Sequence, residues 1–516
     1  PFSMSASEQS APRWWNLEPR EAGILGGILI ATAVLYLPSV RNGWVYDDPL
    51  QIVNNDLLHT WAGIGKSFIY DSWWFLYPDN LPASAYYRPL QATWFGLNYM
   101  ILGNHPAAWH LEKIVVELIA VILSFRLAQL LTRSTAIGLL TAAIFGLLPA
   151  NVEAVVWASA IGEPLSAIFE MGALCCLINR APGQKWPRGL VFALVLYAGA
   201  LLSHETAVLF WLIVGAYAFL IEAKRLGESM RLAAPFLMLA IAYLVARLNA
   251  LGPIAYFALP FHQPTFVLLG WARPVPPPSL LGLILTAPVA LLGYLGVLVV
   301  PGVAGPAHNL NWIDSVAPIT FISAGILAVL AGFALAAAWR SSYRNLYLFC
   351  AAWSLITFGP SMKLDAIATL IADRVLYAPS FGFSLALAMA AVHLAASRPR
   401  ARTAVAGAMA ILLAAYAVSA VRIEHYWHDD LTFYTACVAR APDDREFLRK
   451  QVEILNEQSD LTGAMNALQH AVSLDPDNLY LHQRLLDQYV LMQRGADVQA
   501  EVVRMHALSE KERASP

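Results

Sequence analysis

Charged side chains are scarce in this sequence. Only 13% of its 516 residues are charged, while 58% are hydrophobic. A water-facing domain carries about 25% charged residues. A deficit this deep over this length excludes an ordinary soluble protein, including any soluble hydrolase. A basic excess is missing too. The formal net charge is −2, so nothing in the bulk charge points to nucleic acid as a partner. Cysteine is rare. Cys175, Cys176 and Cys350 lie in apolar segments, and Cys437 has no evident partner. Neither a disulfide framework nor a metal-ligand spacing follows. No cleavable signal peptide is expected, because the first apolar stretch, 22–40, is long enough to span and be retained.

What is abundant is long apolar runs. A membrane span needs about 20 mostly apolar residues. Candidates are 22–40, 110–131, 135–149, 164–179, 189–203, 206–222, 232–250, 317–338, 345–360, 376–396 and 403–421. The region 251–316 is ambiguous. Its segments 253–270 and 280–300 are separated by Pro274, Pro276, Pro277 and Pro278. Cytoplasmic loops carry an excess of Lys and Arg. Placing Arg13 and Arg20 inside puts Arg126, Arg133, Lys185, Arg188, Lys224 and Arg231 inside as well. Arg340, Arg344, Arg398 and Arg402 join them only if 251–316 supplies zero or two spans. The expected total is therefore odd, 11 or 13, with the C-terminus outside.

The first outer loop, 41–109, is long and aromatic, with Trp44, Trp61, Trp73, Trp74, Tyr86 and Tyr87. Such residues favour the membrane interface. Its segment 89–103 reads as an amphipathic helix lying on the bilayer. From about Arg422 the composition turns polar. The segments CVARAPDD (437–444) and AVSLDPDN (471–478) match at a spacing of 34 residues, with Pro442 and Pro476 in register. That period with a helix ending at Pro is the tetratricopeptide pattern. The expected division is a membrane domain over 22–421 and a small helical, tetratricopeptide-like domain over 422–516. About two repeats fit, too few to be stable alone, so the tail is expected to lean on the membrane part.

Ionisable residues in or near a membrane are costly unless paired or functional. Here many gather on the outer side: Asp47, Asp48, Arg88, Glu153, Glu163, His204, Glu205, Arg247, His308, Asp373 and Arg374. Lys113 and Glu117 are spaced to neutralise each other, and Glu112 reads as structural. The sharpest element is the acidic pair in Trp44-Val-Tyr-Asp-Asp48. Two adjacent carboxylates beside a low-dielectric surface repel, so a pKa should rise. Such a pair can hold a hydroxyl nucleophile and take its proton. An Asp pair here also suits a loop start or a helix cap.

Several segments, in one order, resemble a known family. They are NGWVYDDPLQIVNN (42–55), the Tyr-Arg-Pro segment with surface helix and second span (86–123), and LLPANVEAVVWASAIGEPLSAIF (147–169). LLSHETAVLF (201–210), ADRVLYAPSFGFSLALA (372–388) and WHDDLTFYTACVARAPDD (427–444) follow. Together they resemble multi-spanning glycosyltransferases of the GT-C superfamily. The likeness is strongest to the tetratricopeptide-containing O-mannosyltransferase-like branch, and weaker to protein O-mannosyltransferases and aminoarabinose transferases. His204 stands where that branch has Lys, Leu148 where it has His, and Val375 where an aromatic is usual.

The resemblance implies inverting sugar transfer from a polyprenyl-phosphate donor to a hydroxyl acceptor on protein, glycan or lipid. It implies the extracytoplasmic face of a membrane, in a bacterium the inner one. Asp47 would be the base, with Asp48 orienting the acceptor or tuning it. Arg374, Arg88 and Arg247 would meet the donor phosphate, which Arg can bind in a fork. Tyr87, Glu153, Glu163, His204, Glu205 and His308 would contact sugar or acceptor. No cofactor is certain. A divalent cation is open, without a firm ligand set. The alternative is a non-catalytic scaffold or transporter whose tail recruits partners. A carrier should favour inverted repeats, and no internal symmetry is evident among the spans.

Overall fold

The computed structural model describes residues 17–76, 84, 86–179, 188–252, 279–361, 371–442 and 444–514. Among these, every regular element is helical. Eight helices are long and apolar enough to cross a bilayer: Pro19–Arg41, Pro106–Thr132, Ala158–Ile178, Leu226–Leu251, Leu280–Val299, Pro318–Arg340, Asp373–Ser397 and Pro399–His425. The chain is an all-α, polytopic integral membrane protein. Helices Arg188–Ser203 and Glu205–Ile221 are apolar but shorter, and Arg344–Phe358 has 15 residues. Leu280–Val299 shows that 251–316 supplies at least one apolar helix of spanning length. Odd parity would require a second from 253–270, which lies outside the described residues.

Chain chemistry sets where these helices start. Pro19, Pro89, Pro106 and Pro318 each stand at a first helical turn, where a missing N–H costs nothing. Ser134 and Ser279 cap their helices by accepting backbone N–H bonds from Ile137 and Gly282. Packing is uneven. Pro106–Thr132 and Ala158–Ile178 are the most enclosed, with Asp373–Ser397 next, while Pro318–Arg340 is nearly bare. Lipid tails solvate a bare apolar helix as well as a neighbour would.

One break shapes the region around the acidic loop. Thr135–Leu147 stops because Pro149 cannot continue the ladder. A short turn and the helix Val152–Val156 follow, bent by 54° from the first helix. Breaking a helix inside a membrane frees backbone groups that protein must satisfy. Asn151 Nδ2 donates to the Phe145 carbonyl at 3.0 Å, and Lys113 Nζ donates to the Ala154 carbonyl at 2.7 Å. Lys113 therefore braces the turn at the break, and Glu117 accepts from the Tyr377 hydroxyl. Each of the two expected partners holds a different element. The bent helix also sits tight against the first span. A Cβ on Gly146 would fall 2.5 Å from Thr32 Oγ1.

The long loop 41–109 folds over this turn. Within the expected segment 89–103 a helix forms as Pro89–Leu102 and ends at Gly103, whose φ of 58° a side chain would resist. Its buried Ala92 and Phe95 cluster with Ile52, Leu58, Ile64 and Trp109.

Beyond the last long helix, the chain turns at 426–429 into Asp430–Arg440, then Arg445–Glu457, Leu461–Leu474, Leu479–Leu491 and Gly495–Ala514. Asp444 and Asn478, 34 residues apart, cap the first and third of these last four helices in the same way. Each accepts from the second and third N–H beyond it. Ala464, Leu468 and Ala471 are buried on one face, in a cluster with Leu448, Leu481 and Leu485.

Candidate active site

Asp47 and Asp48 are adjacent, yet their surroundings differ. Asp48 is 1% exposed. Its Oδ1 accepts from the Ser159 N–H at 2.8 Å and the Ser159 hydroxyl at 2.5 Å, and its Oδ2 accepts from the Val45 N–H at 3.2 Å. It ties the acidic loop to the turn after Val152–Val156. Asp47 is half-buried and lines a cavity of about 140 Å³. Its Oδ2 accepts from the Gln51 amide at 3.4 Å. A cavity of about 150 Å³ takes one benzene, so the space is on the scale of a single ring.

Burial pushes the Asp47 carboxyl up to about 7, and the Asp48 charge adds to the rise. Arg374 and the Gln51 hydrogen bond pull the other way. Burial also raises Asp48, to about 6, with the Ser159 hydroxyl and the Val45 and Ser159 amides holding it down. A carboxyl near 7 is poised between giving and taking a proton at neutral pH, as a general base must be.

Arg374 lines the same cavity and is 27% exposed. It sits in a short turn that precedes a long span. Three contacts fix that turn. The Arg374 N–H donates to Glu153 at 3.1 Å, the Ala372 N–H donates to the Tyr294 hydroxyl at 3.2 Å, and Asp373 accepts from the Gly305 N–H at 2.6 Å. Asp373 also meets His308 Nε2 at 2.7 Å. Asp373 thus points to the 303–308 loop, not to its neighbour Arg374. The guanidinium donates to Glu153, lies 3.5 Å from Glu163, and stacks 5.1 Å from the Trp157 ring centre. Guanidinium has five N–H donors, and these contacts leave capacity for an anion in the cavity.

Arg88 lies on the wall with both arms of its fork taken. Nε and one terminal nitrogen donate to Glu205 at 2.7 Å each, and the Tyr86 ring packs 4.6 Å away. Arg247, 5% exposed, enters the wall from Leu226–Leu251. His204 and Glu163 also line it, 3.6 Å apart. The wall therefore combines the carboxylates of Asp47, Glu163 and Glu205 with the guanidiniums of Arg88, Arg247 and Arg374. Among the described residues no group of three His, Cys, Asp or Glu side chains is arranged to hold a metal ion.

Four expected site residues lie behind the wall. Asp48 and Glu153 anchor Asp47's loop and Arg374. His308 anchors Asp373. Tyr87 donates its hydroxyl to the Phe68 carbonyl, and Tyr86 takes the place on the wall. Sequence reasoning missed Trp157, Ser159 and Gln51. Gln51 stands four residues after Asp47, one helical turn, which was a readable signal. Trp157 and Ser159 follow Glu153 beyond the break, and only the bend brings them to the acidic pair.

No protein-family model matches the chain. Several curated proteins are similar to it at modest identity. Protein O-mannosyl-transferase Tmtc1 of Drosophila melanogaster is 28% identical over 200 residues, 39% of this chain and 23% of that protein. Protein O-mannosyl-transferase TMTC3 of Homo sapiens is 25% identical over 158 residues, 31% and 17%. Protein O-mannosyl-transferase F38B6.6 of Caenorhabditis elegans is 22% identical over 479 residues, 89% and 64%. The matched stretch takes in less than a quarter of the first two relatives. The likeness to this group of GT-C enzymes, expected from the motifs, is present.

Proposed function

We propose that this chain, similar to protein O-mannosyl-transferases of the TMTC group, is an inverting glycosyltransferase. Its donor is a sugar on a polyprenyl phosphate, and its acceptor is a hydroxyl. The relatives' names point to mannose and a protein hydroxyl. The observation that carries the reading is that Asp47 and Arg374 line one small cavity at the outer loops. The acceptor oxygen attacks the anomeric carbon as its proton passes to Asp47. The bond from that carbon to the phosphate oxygen breaks, and the lipid phosphate leaves with the electron pair beside Arg374. Arg247 adds positive charge. Arg88, held by Glu205, shapes the wall. His204 and Glu163 are placed to hydrogen-bond sugar hydroxyls. The Lys and Arg distribution supports an extracytoplasmic site, in a bacterium at the inner membrane. The capped, 34-residue register supports reading 422–516 as a tetratricopeptide-like domain that presents the acceptor.

Asp47→Asn keeps the shape and removes the base. Purified variant, given saturating polyprenyl-phosphate mannose and a Ser/Thr-rich acceptor peptide, should lose turnover while retaining donor binding. Wild-type turnover by that variant would sink the assignment.

A further inference from the structure

A second acidic pair remains unused by this chemistry, in Trp427-His-Asp-Asp430 at the entrance to the tail. Asp429 has a local task, capping its helix by accepting from the Thr432 N–H at 2.8 Å. Asp430 reaches across the molecule. Its Oδ1 accepts the backbone N–H of Tyr46 at 2.8 Å. Tyr46 directly precedes Asp47, and its φ is 63°. A bulky side chain resists this left-handed conformation, so surrounding contacts must hold it. The Tyr46 ring packs against Trp157 at 5.3 Å and against Phe433 at 5.5 Å. Below it the Gly43 N–H donates to the His428 carbonyl at 2.8 Å.

The other end of the same helix holds the other half of the site. Arg440 Nε donates to the Ala307 carbonyl at 2.9 Å, and a terminal nitrogen donates to the Val303 carbonyl at 2.5 Å. Between those carbonyls, the Gly305 N–H binds Asp373, whose neighbour is Arg374. Gly305 leaves room for the Arg440 guanidinium, where a Cβ would lie 2.5 Å from its central carbon.

We infer that the helix Asp430–Arg440 is a strap that sets the placement of Asp47 relative to Arg374, with Asp430 and Arg440 as its two positioning residues. The inference rests on the glycosyltransferase reading for its kinetic consequence, and on geometry alone for its structural one. Eleven residues of helix span about 16 Å, a rigid distance between the loop that carries the base and the 303–307 loop that holds Asp373 beside the cation. The ends then have different jobs. Releasing Tyr46 frees Asp47 to turn away from the acceptor, which costs the chemical step. Releasing 303–307 loosens Asp373 and Arg374, which costs donor binding.

The test uses the full chain in lipid nanodiscs, as wild type, Asp430→Ala, Arg440→Lys and Asp429→Ala. Hydrogen exchange should quicken over 43–50 in Asp430→Ala and over 303–310 in Arg440→Lys, each without the other. With polyprenyl-phosphate mannose as the probe, Asp430→Ala should lower kcat about tenfold or more with donor KM little changed. Arg440→Lys, which keeps charge and loses the fork, should mainly raise donor KM. Asp429→Ala, which loosens the helix start alone, should do neither. Unchanged exchange in both loops would overturn the strap. So would equal effects of Asp429→Ala and Asp430→Ala, or exchange quickened throughout the membrane helices. Lack of wild-type turnover with this probe counts against the glycosyltransferase reading, while the exchange result still decides the strap.

Discussion

The acidity of Asp47 gives a prediction that can be worked through in sign and size. Its carboxyl is pushed to about 7. At pH 6 about a tenth of it is ionised, whereas a carboxyl at the usual value of about 4 would be ionised almost completely. If Asp47 is the base, kcat/KM should fall about tenfold from its plateau for each pH unit below 7. The limb should also move in a set direction when a neighbour is removed. The Gln51 amide favours the ionised form, so Gln51→Leu should shift the limb to higher pH. The hydrogen bond of Gln51 is to Asp47, so its loss should move the limb more than the donor affinity. The assay is transfer of labelled sugar at subsaturating donor, from about pH 5 to 8, with protein stability checked at each pH. Flat activity down to pH 5 would refute the base assignment. A limb that moves to lower pH in Gln51→Leu would refute the electrostatic account.

Replacing Glu205 with Gln should destabilise the protein by about 3 kcal/mol, because it leaves the Arg88 fork short of its partner; thermal unfolding reads this. The double change Arg88→Met with Glu205→Leu should recover most of the loss. Ser159→Ala takes a 2.5 Å donor from buried Asp48 and should cost about 1–3 kcal/mol, with the acidic loop becoming easier to cleave by protease. Arg374→Lys should weaken donor binding measured by competition with free polyprenyl phosphate, since Lys keeps charge but cannot form the planar fork; equal affinity in Lys and Ala variants would remove Arg374 from the phosphate site. An introduced cysteine in 495–514 should react with an impermeant reagent in intact cells, and one near Lys224 should not; the reverse pattern would invert the topology.

Much of the architecture was legible because the membrane imposes a simple rule. Apolar length finds spans, and the runs at 110–131, 232–250, 317–338, 376–396 and 403–421 all lie in long helices. Proline at 89 and glycine at 103 set the limits of the helix between them before any contact was known. The rule weakened where the helix breaks and side chains, not the helix's own ladder, satisfy the backbone. The run 135–149 read as one short span; the helix ends at Leu147 and the next is bent from it by 54°, with Asn151 of the turn itself and Lys113 of a distant helix satisfying carbonyls at the break.

The site was legible in residue type and far less in assignment. Composition and motif order collected Asp47, Arg374, Arg88, Glu163, Glu205, His204 and Arg247, all of which line one cavity. Spacing could not tell which charge faces the cavity and which holds another in place. Asp47 and Asp48 are neighbours with identical side chains, and what separates them is Ser159, 111 residues away. Arg88 and Arg374 are equally cationic, but Glu205 occupies both arms of one fork, while the other shares its charge between Glu153, Glu163 and the Trp157 face. An incoming phosphate can join Arg374 without evicting a partner. At Arg88 the side-on fork is already filled by Glu205, so a phosphate would meet only the remaining terminal N–H groups, beside a half-buried carboxylate whose repulsion rises as the dielectric falls. The same electrostatics that make a buried ion pair hard to break therefore favour Arg374 over Arg88 as the partner of the proposed donor phosphate.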